Sequence, residues 1–250
     1  MTNGAASGNV AITVGGNNTN TNFGGILLNG STATLGLTKS GTGTQTLSGA
    51  NAYTGPTTVT GGTLEVTGSL SGTTSVSVTS GTLLLAGTAE SINDAASLSL
   101  SLGTTLAFVN SLGSRTETFN SLILLGNAIL DFGDGNTNRF AFTSGISGLS
   151  TRTLRIYNWS GPAGAGTQDI LALSNTLTTP ELNNISFYSG AVGSEATTFL
   201  GTGGQISFGG PAFELVPIPE PSSTALIGAA ALLGLIGFRE RRRLFRKACC

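Results

Sequence analysis

The sequence contains no histidine, and its only two cysteines, Cys249 and Cys250, are its last two residues. Everything before them is cysteine-free, which excludes an internal disulfide framework, a thiolate metal site and a thiol nucleophile. Charge is almost as scarce. Only 9% of residues are charged, against roughly 25% in an ordinary soluble domain. Aromatic residues make up 6%. No metal or cofactor signature stands out, so no cofactor is expected. The poverty of charge does not mean disorder, because 39% of residues are hydrophobic and they fall in short, evenly spaced clusters.

The few charges are unevenly placed. Six of the eleven basic residues lie between position 239 and the end: Arg239, Arg241, Arg242, Arg243, Arg246 and Lys247. Five basic and eleven acidic residues precede them, giving a body of charge −6; with Glu240 the tail carries +5. An acidic body lacks the basic surface that displaces counterions from a phosphate backbone, so nucleic acid is not expected as a partner.

What the sequence does have is glycine, 38 residues of it, with abundant Thr, Ser and Asn. No helix is expected over residues 1–215. Short β-favouring clusters alternate with Gly-rich turns: Val10–Val14, Gln45–Ser48, Thr57–Val66, Ser75–Val78, Thr82–Leu85, Thr105–Val109, Ser121–Leu125, Ala128–Phe132, Thr153–Tyr157, Ile185–Tyr188 and Gln205–Phe208. Apolar and polar residues alternate in several of them, as a half-buried strand requires. A loose repeat begins at Gly62-Thr63-Leu64, Gly81-Thr82-Leu83, Gly103-Thr104-Thr105-Leu106 and Gly126-Asn127-Ala128-Ile129. Its period, near 20, suits one coil of a solenoid, which buries its apolar face only by stacking on neighbours. The expected fold class is therefore all-β, a right-handed parallel β-helix (solenoid) over residues 1–215. A Greek-key sandwich is the competing architecture.

Residues 37–66 read LTKSGTGTQTLSGANAYTGPTTVTGGTLEV. Lys39, Gly41, Gly43, Leu47 to Asn51, Tyr53, Gly55, Thr57 to Val59 and Gly61 to Leu64 form a pattern that resembles the passenger-associated repeat of autotransporters and related surface proteins. That resemblance implies β-helical coils in an exported chain and implies no enzymatic activity. Pro56 stands where the repeat usually has glycine. Glycines permit left-handed corners, and Asn51 can satisfy backbone donors there. Tyr53 reads as a corner-packing aromatic, with sugar stacking as the alternative.

The last segment, residues 216–250, has three parts in order. Pro219-Glu220-Pro221 lies in an extended Pro-rich stretch, 222–238 is uncharged, and 239–250 is basic. The 17-residue uncharged stretch spans ~25 Å as a helix at ~1.5 Å per residue. That is short against ~30 Å of hydrocarbon, but arginines snorkel. A single C-terminal transmembrane helix is expected, with Arg239, Arg241, Arg242 and Arg243 as the stop on the cytoplasmic side of the inner membrane. Gly228, Ala229, Ala230 and Gly234 would let another helix approach closely. The order resembles the PEP-CTERM sorting signal, whose sorting motif would be Pro219, Glu220 and Pro221. The resemblance implies that exosortase, an integral membrane protease-transpeptidase, cuts near that motif and passes the chain to the cell envelope or an extracellular polymer. A permanent tail anchor is the plain alternative. Such a tail presupposes export, yet Met1–Gly8 has neither a basic nor an apolar signal region. A truncated or mis-started N-terminus is therefore expected.

No catalytic constellation accompanies these features. Asp131, Asp134 and Asn136 make an oxygen-rich turn without EF-hand spacing, so no metal site is expected. Gly161–Gly166 lacks the Lys-Ser/Thr of a phosphate loop and reads as a linker. Asn17, Asn29, Asn158 and Asn184 begin glycosylation-like triplets, and Trp159 reads as a packing anchor. Eleven body acids show no recognisable pair of the kind that glycan hydrolysis needs. A structural or adhesin-like surface protein is the leading expectation, with surface polysaccharide as a possible partner. A membrane-anchored β-helical polysaccharide lyase or hydrolase is the alternative; clustered Asp, Glu and Arg in a groove would favour it.

Overall fold

The computed structural model describes residues 8–109, 113–133, 137–160, 169–192, 198–207 and 213–218. By contacts the chain divides into two units, Met1–Ile218 and Pro219–Cys250, and all described residues belong to the first.

That unit is a stack of parallel coils, each contributing a strand to two or three faces. The first coil holds β1 (Val10–Val14) and β2 (Thr21–Phe23). The second holds β3 (Leu35–Lys39), β4 (Thr44–Leu47) and β5 (Ala50–Asn51). The third holds β6 (Thr57–Val59), β7 (Thr63–Val66) and β8 (Ser69–Leu70). The fourth holds β9 (Ser75–Val78) and β10 (Thr82–Leu85). The fifth holds β11 (Ser97–Leu100), β12 (Thr105–Phe108) and β13 (Thr116–Phe119). The sixth holds β14 (Ser121–Leu124), β15 (Ala128–Asp131) and β16 (Arg139–Phe142). The seventh holds β17 (Ile146–Ser147), β18 (Leu154–Tyr157) and β19 (Ile170–Leu173). A helix, α1 (Thr179–Asn183), and strands β20 (Ile185–Ser189), β21 (Thr198–Ser207) and β22 (Phe213–Ile218) follow.

One face is the seven-stranded parallel sheet β1-β3-β6-β9-β11-β14-β17. A second runs β2-β4-β7-β10-β12-β15-β18-β20, also parallel. A third is built from β5-β8 and, further along, β13-β16-β19. Parallel ladders in this order are those of a solenoid and exclude the Greek-key sandwich, whose neighbours run antiparallel. At the C-terminal end β20 pairs β21, β21 pairs β22 and β22 pairs β19, all antiparallel. These strands cover the last edges of the second and third faces, the places where an open sheet would otherwise recruit another chain.

Every second residue points inward. On the second face the inner column runs Gln45, Leu64, Leu83, Leu106, Leu130, Ile156 and Phe187. The strands Val10–Val14, Ser75–Val78 and Thr82–Leu85 coincide with the expected β-favouring clusters. Thr57–Val66 is two strands rather than one, because Gly61-Gly62 turns a corner between two faces. The fourth repeat also slips by one residue. Leu106 pairs with Leu130, not Ile129, and Gly126 lacks the left-handed φ of Gly62, Gly81 and Gly103. A one-residue slip reverses the two sides of a strand: Leu130 is buried and Ile129 faces out.

The expectation of no helix is corrected by α1. Its signal was present as Thr178-Thr179-Pro180-Glu181, a capping box with proline in the first turn. The Thr178 amide and hydroxyl both donate to Glu181 Oε2, at 2.9 and 2.8 Å. These bonds hold the Glu181 carboxyl below its usual range.

The first coil is longer than the next two, and from there the coils lengthen along the stack and the core changes to match. Inner positions advance 19 residues from Gln45 to Leu64 and 31 from Ile156 to Phe187. Leu and Val fill the short coils. Phenylalanines fill the longer ones: Phe108 stacks on Phe140 at 4.2 Å, and Phe132 meets Trp159 edge-on at 5.3 Å. Trp159 is thus a packing anchor, 4.8 Å from Phe187.

Candidate binding faces and the sorting segment

The repeat at residues 37–66 spells out a coil and a half. Lys39 sits in an inner column between Val14 and Val59. Its stem is fully buried, while Nζ donates to the carbonyls of Ser40 (2.6 Å), Gly41 (3.1 Å) and Gly61 (3.0 Å). Burial lowers the Lys39 pKa, and the three carbonyls occupy the ammonium's donors. This lysine ties a corner together and offers nothing to a ligand. Asn51 joins three coils: its Oδ1 accepts from Leu27 N (2.9 Å), and its Nδ2 donates to Gly49 O (2.9 Å) and Ser69 O (3.2 Å). Gly62 takes φ +61°, which only glycine adopts freely. A β-carbon on Gly49 would collide with the carbonyl oxygen of Gly25. Gly36 lies against Pro56, and a β-carbon on Gly36 would crowd the Pro56 carbonyl oxygen.

Tyr53 is wholly buried, and its hydroxyl lies 2.6 Å from Thr57 Oγ1, which lies 3.0 Å from Thr73 Oγ1. No sugar can stack on this ring; it packs the corner.

The longer coils begin where the third face is interrupted. Between β8 and β13 the only described link is the single bridge Leu70–Ile92. Glu117 replaces the missing ladder: its carboxylate accepts from Ser91 N (2.9 Å) and Ile92 N (2.6 Å). Arg115 does the complementary job, donating to Leu85 O (2.8 Å) and Val109 O (2.5 Å) with its guanidinium 4.4 Å from the centre of the Phe108 ring. Both residues are buried. Burial, aided by Glu90 and Asp94, pushes the Glu117 carboxyl up to about 8 from an ordinary 4.5; burial lowers the Arg115 pKa, against the pull of Glu117. Between pH 4.5 and 8 the unfolded chain therefore releases a proton that the folded chain keeps. Stability should fall as pH rises through that window, at up to ~1.4 kcal/mol per pH unit. Urea titrations of the parent and of Glu117→Gln should show that slope reduced in the variant; an unchanged slope would contradict the assignment.

Asp131, Asp169 and Glu65 are likewise engaged in local structure. Asp131 accepts from Gly133 N (3.0 Å) and Asn158 Nδ2 (2.6 Å). Asp134 and Asn136 lie outside the described residues, as does Gly161–Gly166. Asp169 accepts from Asn138 N, Ser160 N and Ser160 Oγ, each at 2.8 Å, and burial raises its pKa. Glu65 accepts from Thr46 Oγ1 at 2.6 Å. Three triplet asparagines are also occupied: Asn29 bonds Thr54, Asn158 is buried on Asp131, and Asn184 bonds Leu149 O.

The outer faces have a different character. On the first face Thr13, Thr38, Thr58, Ser77 and Ser99 stand in one column through successive coils. On the second, Thr44, Thr63, Thr82 and Thr105 form another. Coil spacing of ~4.8 Å places the hydroxyls at regular intervals on a nearly flat, mostly uncharged surface. Beyond coil five the columns change, to Ile123 on the first face and to Ile129 and Arg155 on the second.

Two comparisons bear on this arrangement. The passenger-associated-transport-repeat family matches residues 37–66, the corner-and-strand unit just described. The PEP-CTERM protein-sorting motif matches residues 217–243. The chain carries a PEP-CTERM sorting motif. No curated protein and no solved structure matches the chain. Within the matched tail, Pro219, Glu220, Pro221, Arg239, Arg241, Arg242 and Arg243 lie outside the described residues, as does the expected span 222–238. Among the described residues no helix is long and apolar enough to cross a membrane.

Proposed function

We propose that this protein is an exported structural or adhesin-like component of the cell surface or extracellular matrix, delivered by an exosortase-type membrane protease. The observation that carries the reading is the sorting motif at residues 217–243 behind a stack of parallel coils containing the passenger repeat. The solenoid is right-handed, the hand that parallel strand crossovers take in nearly all sheets. The tail is a temporary inner-membrane anchor, with the body outside the cytoplasm and the arginines inside. The hydroxyl columns suit contact with surface polysaccharide through many weak, repeated hydrogen bonds.

The protein is not an enzyme on this reading. Glu65, Glu117, Asp131 and Asp169 bond to backbone amides, hydroxyls and an asparagine within the coils, and Glu90 and Asp94 are exposed near Glu117. Incubation with acidic and neutral polysaccharides should give retention on the polymer without turnover. Turnover abolished by a single Asp or Glu substitution would contradict it and favour a lyase or hydrolase.

A further inference from the structure

The second face loses its threonine column beyond the fifth coil. In β15, β18 and β20 the outward positions hold Ile129, Asp131, Arg155, Tyr157, Ser186 and Tyr188. Tyr157 and Tyr188 stack at 4.8 Å with their rings 13° from parallel, and both are half-buried. Arg155 is exposed. It lies two residues before Tyr157 on the same side of β18, ~7 Å away along the strand. Arg155 also lines a cavity of about 210 Å³, with Leu102, Asn127, Ile129 and Thr153, at the corner where the first face passes to the second. Leu102 is 74% exposed there. Asn127 Oδ1 accepts from Thr153 N at 2.9 Å, which leaves the two amide N–H donors of Asn127 for a ligand. Cationic charge gathers at this corner. Of the five basic residues before the tail, Lys39 and Arg115 are buried. Arg139, Arg152 and Arg155 remain, and two of those three are here. Among the described residues no carboxylate forms an ion pair with Arg155. Asp131, in register with Tyr157, already accepts from Gly133 N and Asn158 Nδ2.

We infer that this corner binds a uronic-acid unit of an acidic polysaccharide. The inference rests on the polysaccharide reading above and gives it an anionic ligand and a place. The guanidinium of Arg155 is a planar fork that meets a carboxylate through two parallel N–H···O bonds. Leu102, Ile129 and the tyrosine pair offer apolar surface to the C–H groups of a sugar ring. The Asn127 amide and the Thr153 hydroxyl meet its hydroxyls. The cavity is smaller than the ~300–1,000 Å³ usual for a whole small-molecule ligand. It suits one unit of a polymer that continues across the open face. A bare inorganic anion would leave the apolar wall unused, and a neutral sugar would leave Arg155 without its counter-charge.

The test is arginine footprinting of the full chain in detergent, which reads each site separately and so is not confused by the basic tail. Phenylglyoxal modifies accessible arginines, and mass spectrometry gives the rate at each one. A short oligogalacturonate should slow modification of Arg155 at least tenfold and leave Arg139, on the third face, unchanged. The methyl-esterified oligomer should not protect Arg155. Tyr157→Ala should lose the protection while circular dichroism stays β-rich; if that variant fails to fold, the footprint of the parent decides alone. Unchanged reactivity of Arg155 would overturn the proposal. So would equal protection by the methyl-esterified oligomer, or by oligoglutamate, which would reduce the contact to charge. Retention of the chain on neutral polysaccharide with Arg155 still reactive would remove this site and leave the surface-polysaccharide reading standing. Retention on no polysaccharide would remove both.

Discussion

Replacing Pro219, Glu220 and Pro221 together with alanine should leave the full-length chain in the membrane fraction and remove it from the surface. The expected effect is close to complete, because it acts on a processing step rather than on an equilibrium. Proline disfavours helix and favours an extended chain, the form in which a protease binds its substrate. The last strand, β22, ends at Ile218, one residue before the motif. A cut at 219–221 therefore releases the body with its antiparallel closing strands entire. The same cut removes all six tail cations and both cysteines, so the released body is acidic and no longer anchored. Immunoblots of membrane and surface fractions decide the outcome; normal release of the triple-alanine chain would contradict a role for this motif.

Tyr53→Ala should destabilise the body by about 3–5 kcal/mol, as loss of a fully buried large aromatic generally does. The cavity would open between the second and third coils, and the Thr57–Thr73 pair would lose its third hydroxyl. Each coil is held only by its neighbours, so damage at one interface loosens the coils on the N-terminal side of it. Tyr53→Phe keeps the ring and removes only the hydroxyl, and should cost about 1 kcal/mol. Denaturant midpoints of the three proteins give the comparison. Equal stability of parent and alanine variant would mean that Tyr53 does not pack the corner.

Much of this architecture is legible in the sequence. The alternation in Ser75–Val78 marks the strand correctly because the buried residues are aliphatic and the outward ones are serine. Gly-Thr-Leu recurrence marks the stacking because positions that pair in adjacent coils meet the same neighbours. Reading fails where the coils lengthen. Arg115-Thr116-Glu117-Thr118-Phe119 looks like a solvated strand, since charges usually face water. Yet residues two apart share a side of a strand, and Phe119 is fully buried. That periodicity was the available signal that Arg115 and Glu117 turn inward. Lys39 misleads in the same way: its charge suggests surface, whereas the glycine-rich corner supplies backbone carbonyls to satisfy it. The strand Arg139–Phe142 and the strand Ile170–Leu173 escaped because an apolar run without clear alternation does not reveal its period. The tail is read from the order of its parts alone.

On the proposed function the chain is cut near Pro219–Pro221 after export and its body is retained at the surface. Intact-mass spectrometry of surface-associated protein from a host with exosortase tests it directly. The expected product is a chain whose C-terminus lies at or beside residues 219–221, without the uncharged stretch and without the arginines. A surface chain of full length, still ending in Cys249-Cys250, would contradict it and leave a permanent membrane anchor.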